Sequence, residues 1–116
     1  MPMGWSTVNL IEPPFLAWTI SGSGLPAPPV DSPRNAAFVT DPDSVSDQCL
    51  VSIPIPVPSA TSQLRFRNNF ALENTYDGGV LEISMNGGAS FADIISAGGS
   101  FVSGGYNTTI STSYSS

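Results

Sequence analysis

The sequence predicts an all-β chain, and three observations predict it. Its apolar residues come in short runs, several of them alternating with polar neighbours, which is the spacing of a strand with one covered face. Those runs are punctuated by turn residues, and the 116 positions include 11 Gly and 11 Pro, a proportion that suits many turns and few helices. No stretch sustains apolar residues at helical spacing. The length suits one domain, expected to span residues 1–116 as a single antiparallel β-sandwich module.

Taken in order, Phe15-Leu16-Ala17-Trp18-Thr19-Ile20 follows Pro13-Pro14 and reads as a short strand of aromatic and β-branched residues. Residues 21–35 are rich in Ser, Gly and Pro and read as a long loop, either a plain connection or an exposed binding loop. Ala36-Ala37-Phe38-Val39-Thr40 is the next strand, closed by Asp41-Pro42-Asp43-Ser44, a turn whose Asp side chains can bond nearby amides. In Cys49-Leu50-Val51-Ser52-Ile53-Pro54-Ile55-Pro56-Val57-Pro58, proline then takes every second place. A central strand cannot lose that many ladder donors, so an edge strand or extended ribbon is expected, with Ile and Val toward the core.

Residues 63–72 carry the clearest strand pattern, with Leu64, Phe66, Phe70 and Leu72 on one face and Arg65, Arg67 and Asn69 on the other. Asn74 to Gly79 form a turn. Val80 to Met85 form a strand with Leu81, Ile83 and Met85 on one face, and Asn86-Gly87 makes a hairpin turn that returns as residues 90–95. Beyond Ser96 the chain holds two Gly-Gly pairs and Tyr106, and Asn107-Thr108-Thr109 matches a glycosylation sequon.

Composition removes whole classes of chemistry. With no His and one Cys, a Ser-His-Asp or Cys-His catalytic set, a His-ligated zinc site and a disulfide within the chain are excluded. Cys49 is expected to be a buried, inert thiol or half of an intermolecular disulfide. The formal charge is −6, and the three cations are Arg34, Arg65 and Arg67, which argues against a nucleic-acid partner. Glu12, Pro13 and Pro14 break the most apolar early stretch, so no membrane insertion is expected. Met1-Pro2-Met3-Gly4-Trp5 lacks a basic leader, so an export signal is expected elsewhere. Low charge, abundant Ser and Thr and the absence of Lys resemble an extracellular or cell-surface composition.

Two surface readings come from the residues themselves. Arg65, Arg67 and Asn69 share a face that either forms a carbohydrate-binding surface or pairs across strands with Glu82, an exposed interaction of only about 0.2–1 kcal/mol. Asp77 and Glu82 are the pair of carboxylates a glycoside-acting enzyme would need, yet nothing in the sequence builds an enclosing cleft around them.

Ser84-Met85-Asn86-Gly87-Gly88-Ala89-Ser90-Phe91 reads Ser-x-Asn-x-Gly-x-Ser-aromatic and resembles the Asp-box. Ser84, Asn86, Gly88 and Phe91 are its structural turn residues: an Asx side chain caps amides across the hairpin, and the aromatic anchors the turn. A longer set of pieces includes Leu64-Arg65-Phe66, the run from Tyr76 to Ser84, this turn and Gly104-Gly105-Tyr106. In that order they resemble the MAM-like jelly-roll modules of bacterial secreted and surface proteins, including those beside immune-inhibitor-A-type metallopeptidases and the cleaved-adhesin type.

The resemblance implies a jelly-roll-like antiparallel β-sandwich, incomplete at the C-terminal side, as the first two-thirds of a larger roll. Open sheet edges in such a fragment favour self-association through an edge. It also implies one structural calcium ion, with Asp41, Asp43, Asp47 and Glu82 as its oxygen donors. The function it implies is a non-catalytic accessory or adhesion module of a secreted or cell-surface multidomain protein, binding glycan or protein. The alternatives are a structural spacer beside a metallopeptidase domain and, as a distant third, a fragment of a glycoside-acting enzyme.

Overall fold

The structure, a computed structural model, describes residues 3–11, 17–21 and 36–113. Phe15 and Leu16 of the first expected strand, Arg34 and nearly all of the loop over 21–35 lie outside the described residues. Among the described residues there is no helix, and every strand pairs antiparallel, so the fold class is all-β. None of these residues forms a helix long and apolar enough to cross a membrane. The chain divides into two compact units, one within Met1–Ala71 and one within Leu72–Ser115.

The first unit holds two two-stranded sheets. Strands β1 (Ser6–Ile11) and β4 (Asp47–Val51) pair with Ser6 opposite Val51, Val8 opposite Cys49 and Ile11 opposite Asp47. The register slips between Asn9 and Ile11, leaving Leu10 as the extra residue of a bulge, where an unpaired residue bends the strand outward. β1 is a strand that the apolar pattern does not announce, because Val8 and Leu10 stand among Ser, Thr and Asn. Its partner supplies what its own sequence lacks: all five residues of β4 are half-buried.

Strands β2 (Thr19–Ser21) and β3 (Ala36–Phe38) form the second sheet, with Ile20 opposite Ala37. The indole Nε1–H of Trp18 donates to the carbonyl of Gln48 at 3.0 Å, tying the start of β2 to β4. A half-buried Trp needs such a partner for its N–H. β4 ends at Val51, just before the proline ribbon, and residues 52–58 join no ladder, as missing donors dictate. Ile53, Ile55 and Val57 are nonetheless exposed rather than turned into a core.

Residues 63–72 depart further from their pattern: they lie in no strand, and Leu64, Phe66 and Phe70 are all more than half exposed. Alternation prepares a segment for a sheet face but supplies no backbone partner, and β-propensity is realised only against neighbours. Among the described residues no hydrophobic side chain is fully buried. The half-buried apolar groups of this unit include Trp18, Phe38, Val39, Cys49, Leu50 and Val51.

The second unit is built on one hairpin, β5 (Glu82–Ile83) against β6 (Ala92–Asp93), with Glu82 opposite Asp93 and Ile83 opposite Ala92. An added bond from the Ile94 N–H to the Leu81 carbonyl, 2.9 Å, extends the pairing. Leu81 and Ile83 are half-buried, whereas Met85, expected on their face, is 81% exposed because the strand has already given way to the turn.

The returning strand also stops early. Asp93 Oδ1 accepts the N–H of Ile95 at 2.8 Å and of Ser96 at 3.2 Å, the work of an N-cap. The N–H of Gly99 then reaches the carbonyl of Ile94 at 2.8 Å, and that of Gly98 reaches Ile95 at 3.0 Å. With Gly98 at φ +91°, this is the paired closure of a Schellman motif. Asp93 and Gly98 thus bracket a single helical turn where apolar Ile94 and Ile95 suggest a strand.

Candidate functional site

The most tightly held polar cluster begins at the hairpin turn. Ser84 Oγ donates to Asn86 Oδ1 at 2.8 Å and accepts the N–H of Gly88 at 2.8 Å, with the Asn86 N–H at 3.4 Å. Asn86 Oδ1 also accepts the Ser90 N–H at 3.0 Å, while Asn86 Nδ2 donates to Ser90 Oγ at 2.8 Å. Gly87 and Gly88 take φ of +72° and +89°, a region that costs an L-residue roughly 1–2 kcal/mol. The side chains of Ser84 and Asn86 are therefore spent on holding backbone and each other, and that of Ser90 on holding Asn86. Phe91 closes the motif but is 44% exposed, so it covers the turn only in part.

A second cluster links the hairpin to the tail. The Tyr106 hydroxyl donates to Asp93 Oδ2 at 2.6 Å and accepts the Leu81 N–H at 3.0 Å, with the Leu81 carbonyl at 3.2 Å. The hydroxyl has one proton, and the short bond to a carboxylate is the stronger claim on it. Phe101 packs edge-on against the Tyr106 ring with centroids 4.9 Å apart, an arrangement favoured by the ring quadrupoles.

The electrostatics follow from this geometry. The Tyr106 hydroxyl first, then the amides of Ser96 and Ile95, hold the Asp93 carboxyl below its ordinary range against partial desolvation. Partial burial first, then the bond to Asp93, raises the Tyr106 phenol, and the Glu82 charge adds to it. Glu82 and Asp93 are directly opposed like charges, an unfavourable pairing. The Tyr106 hydroxyl bonds one of the two carboxylates, that of Asp93.

The residues proposed as calcium ligands are distributed differently. Asp41 and Asp43 are exposed and Asp47 is half-buried in β4, where its Oδ1 lies 3.8 Å from the Cys49 thiol. Glu82 belongs to the second unit. Among the described residues no three His, Cys, Asp or Glu side chains converge where they could hold a metal ion. Asp77 is half-buried beside a turn in which the Glu73 carbonyl accepts the N–H groups of Tyr76 and Asp77.

Arg65, Arg67 and Asn69 are exposed, as are the intervening Phe66 and Phe70. Arg65 donates from Nη2 to Gln63 Oε1 at 3.3 Å, a local contact on the same run. The residues that sequence reasoning missed are Asp93 and Tyr106. Asp93 could have been found as the cap preceding Ile94 to Gly99, but nothing local pairs it with a tyrosine 13 positions on. Comparisons with protein-family models, with curated proteins and with solved structures gave no match.

Proposed function

We propose that the chain is a non-catalytic accessory or adhesion module of a secreted or cell-surface multidomain protein, of the MAM-like jelly-roll kind, with a glycan or protein surface as its ligand. The observation that carries this reading is the run over residues 65–70, where Arg65, Arg67 and Asn69 stand beside Phe66 and Phe70 and all five are exposed. Guanidinium groups bond the hydroxyls and carboxylates of a glycan or a protein, and aromatic faces cover apolar ring or side-chain surface. The low charge and the Ser/Thr-rich surface fit an extracellular setting. The turn at Ser84 to Phe91 supports the resemblance, because its hydrogen bonds are those that an Asp-box-like sequence is built to make.

A spacer role is favoured by a different observation. In the second unit the polar side chains of Ser84, Asn86, Asp93 and Tyr106 are engaged with one another or with backbone. The two readings separate on one experiment, in which the purified chain is applied to an immobilised panel of glycans and extracellular-matrix proteins. The module reading expects saturable binding to a subset of the panel, lost in the triple variant Arg65→Ala, Arg67→Ala, Asn69→Ala. A folded chain that binds nothing on the panel would leave the spacer role in its place.

A further inference from the structure

We infer that Asn86-Gly87 is a site of spontaneous deamidation whose rate is set by the hydroxyls of Ser84 and Ser90. Asn followed by Gly is chemically labile because a residue without a Cβ lets its amide nitrogen approach the preceding side chain. The Gly87 nitrogen attacks Asn86 Cγ, forming the N–C bond of a succinimide as ammonia leaves. Water then opens the ring, giving Asp through one carbonyl or isoaspartate through the other. No reagent beyond water is needed, and the turn is exposed to it. A Cβ built on Gly87 would meet nothing within 4 Å, so no neighbouring group screens the nucleophile's own carbon.

What opposes the attack is the side-chain geometry. Asn86 Oδ1 is held by the Ser84 hydroxyl at 2.8 Å and the Ser90 N–H at 3.0 Å, and Asn86 Nδ2 is held on Ser90 Oγ at 2.8 Å. Swinging Cγ toward the Gly87 nitrogen breaks all three. The amide is therefore labile by sequence and protected by fold, and the protection depends on the two serines.

The arrangement also discriminates between the products. An aspartate at position 86 keeps Oδ1 on the same two donors, and its second oxygen accepts from Ser90 Oγ once that hydroxyl turns from acceptor to donor. The direct product fits the turn and makes the chain one charge more negative than −6. Isoaspartate inserts a methylene into the backbone between the two glycine-dependent dihedrals and the ladder, so it cannot keep the register of β5 and β6.

The test follows conversion at Asn86 by peptide-resolved mass spectrometry, with the full chain incubated at neutral pH. The chain is compared in native buffer, in strong denaturant and as the Ser84→Ala variant. Native wild type is expected to convert about tenfold more slowly than the denatured chain, which is the loss of one to two net hydrogen bonds, with Ser84→Ala between the two because the bonds to Ser90 remain. Equal rates in all three would overturn the inference. The Asn86→Asp chain, made directly, is expected to keep the wild-type thermal midpoint and far-ultraviolet spectrum. A markedly lower midpoint would overturn the claim that the turn accepts the direct product.

Discussion

Replacing Ser84 by Ala isolates the side chain on which the hairpin turn depends most. The substitution removes a hydroxyl that accepts the Gly88 N–H at 2.8 Å, lies 3.4 Å from the Asn86 N–H and donates to Asn86 Oδ1 at 2.8 Å. Counting the two short bonds at about 0.5–1.5 kcal/mol net each, and taking the lower half of that range for an exposed turn, gives a loss of about 1–2 kcal/mol. In a domain this small each kcal/mol moves the midpoint by roughly 4–8 °C, so thermal unfolding followed by circular dichroism should show a fall of roughly 4–16 °C. Ser84→Thr retains the hydroxyl and should recover most of it. A Ser84→Ala chain melting within a degree of wild type would refute the reasoning, because the bonds would then be no better than those that water offers in the open turn.

Three further outcomes follow from particular contacts. Asp93 is held below its ordinary value of 3.8, so its contribution is present above that value and is lost as pH falls through the lower, folded one. Acid melts of wild type and Tyr106→Phe should converge below that window, and curves that stay parallel throughout would contradict the link. Thr75 sits at φ +70°, where a β-branched residue is strained, so Thr75→Gly is expected to raise stability by about 1 kcal/mol in chemical denaturation; a loss would show that the side chain outweighs the strain. Trp18→Phe removes the donor to the Gln48 carbonyl and should lower stability by about 1 kcal/mol. An unchanged denaturation midpoint would mean that water replaces the indole.

The parts of the fold that are legible in the sequence are those whose causes are local. The turn from Ser84 to Phe91 needs only its own side chains and two glycines, and the proline ribbon after Val51 excludes itself from ladders residue by residue. Asp93 and Gly98 are equally local, but they compete with the strand reading of Ile94 and Ile95, and two caps outweigh two β-branched residues. β1 is hidden because its pairing with β4 comes from across the chain, with Val8 set against Cys49. Residues 63–72 are the reverse case, a strong alternation that forms no ladder among the described residues. The clamp on Asp93 is illegible for the same reason as β1: Tyr106 reaches it, and Leu81 25 positions away, only after the hairpin has formed.

The acidic candidates are close in sequence but differ in local setting. Asp41 and Asp43 lie exposed outside any strand, whereas Asp47 is the first residue of β4, where side-chain direction alternates with the pleat. Arg65, Arg67 and Asn69 keep their expected exposure without the sheet that was expected to present them.

The central claim is that residues 65–70 face a ligand, and amide chemical-shift mapping tests it most directly. The labelled full chain is titrated with the tightest-binding glycan or matrix fragment from the immobilised panel. The account predicts saturable shifts concentrated at Arg65, Phe66, Arg67 and Asn69, with Ser84 to Ser90 unmoved. Saturable shifts centred on the hairpin or on Tyr106, with the arginine run unmoved, would contradict it.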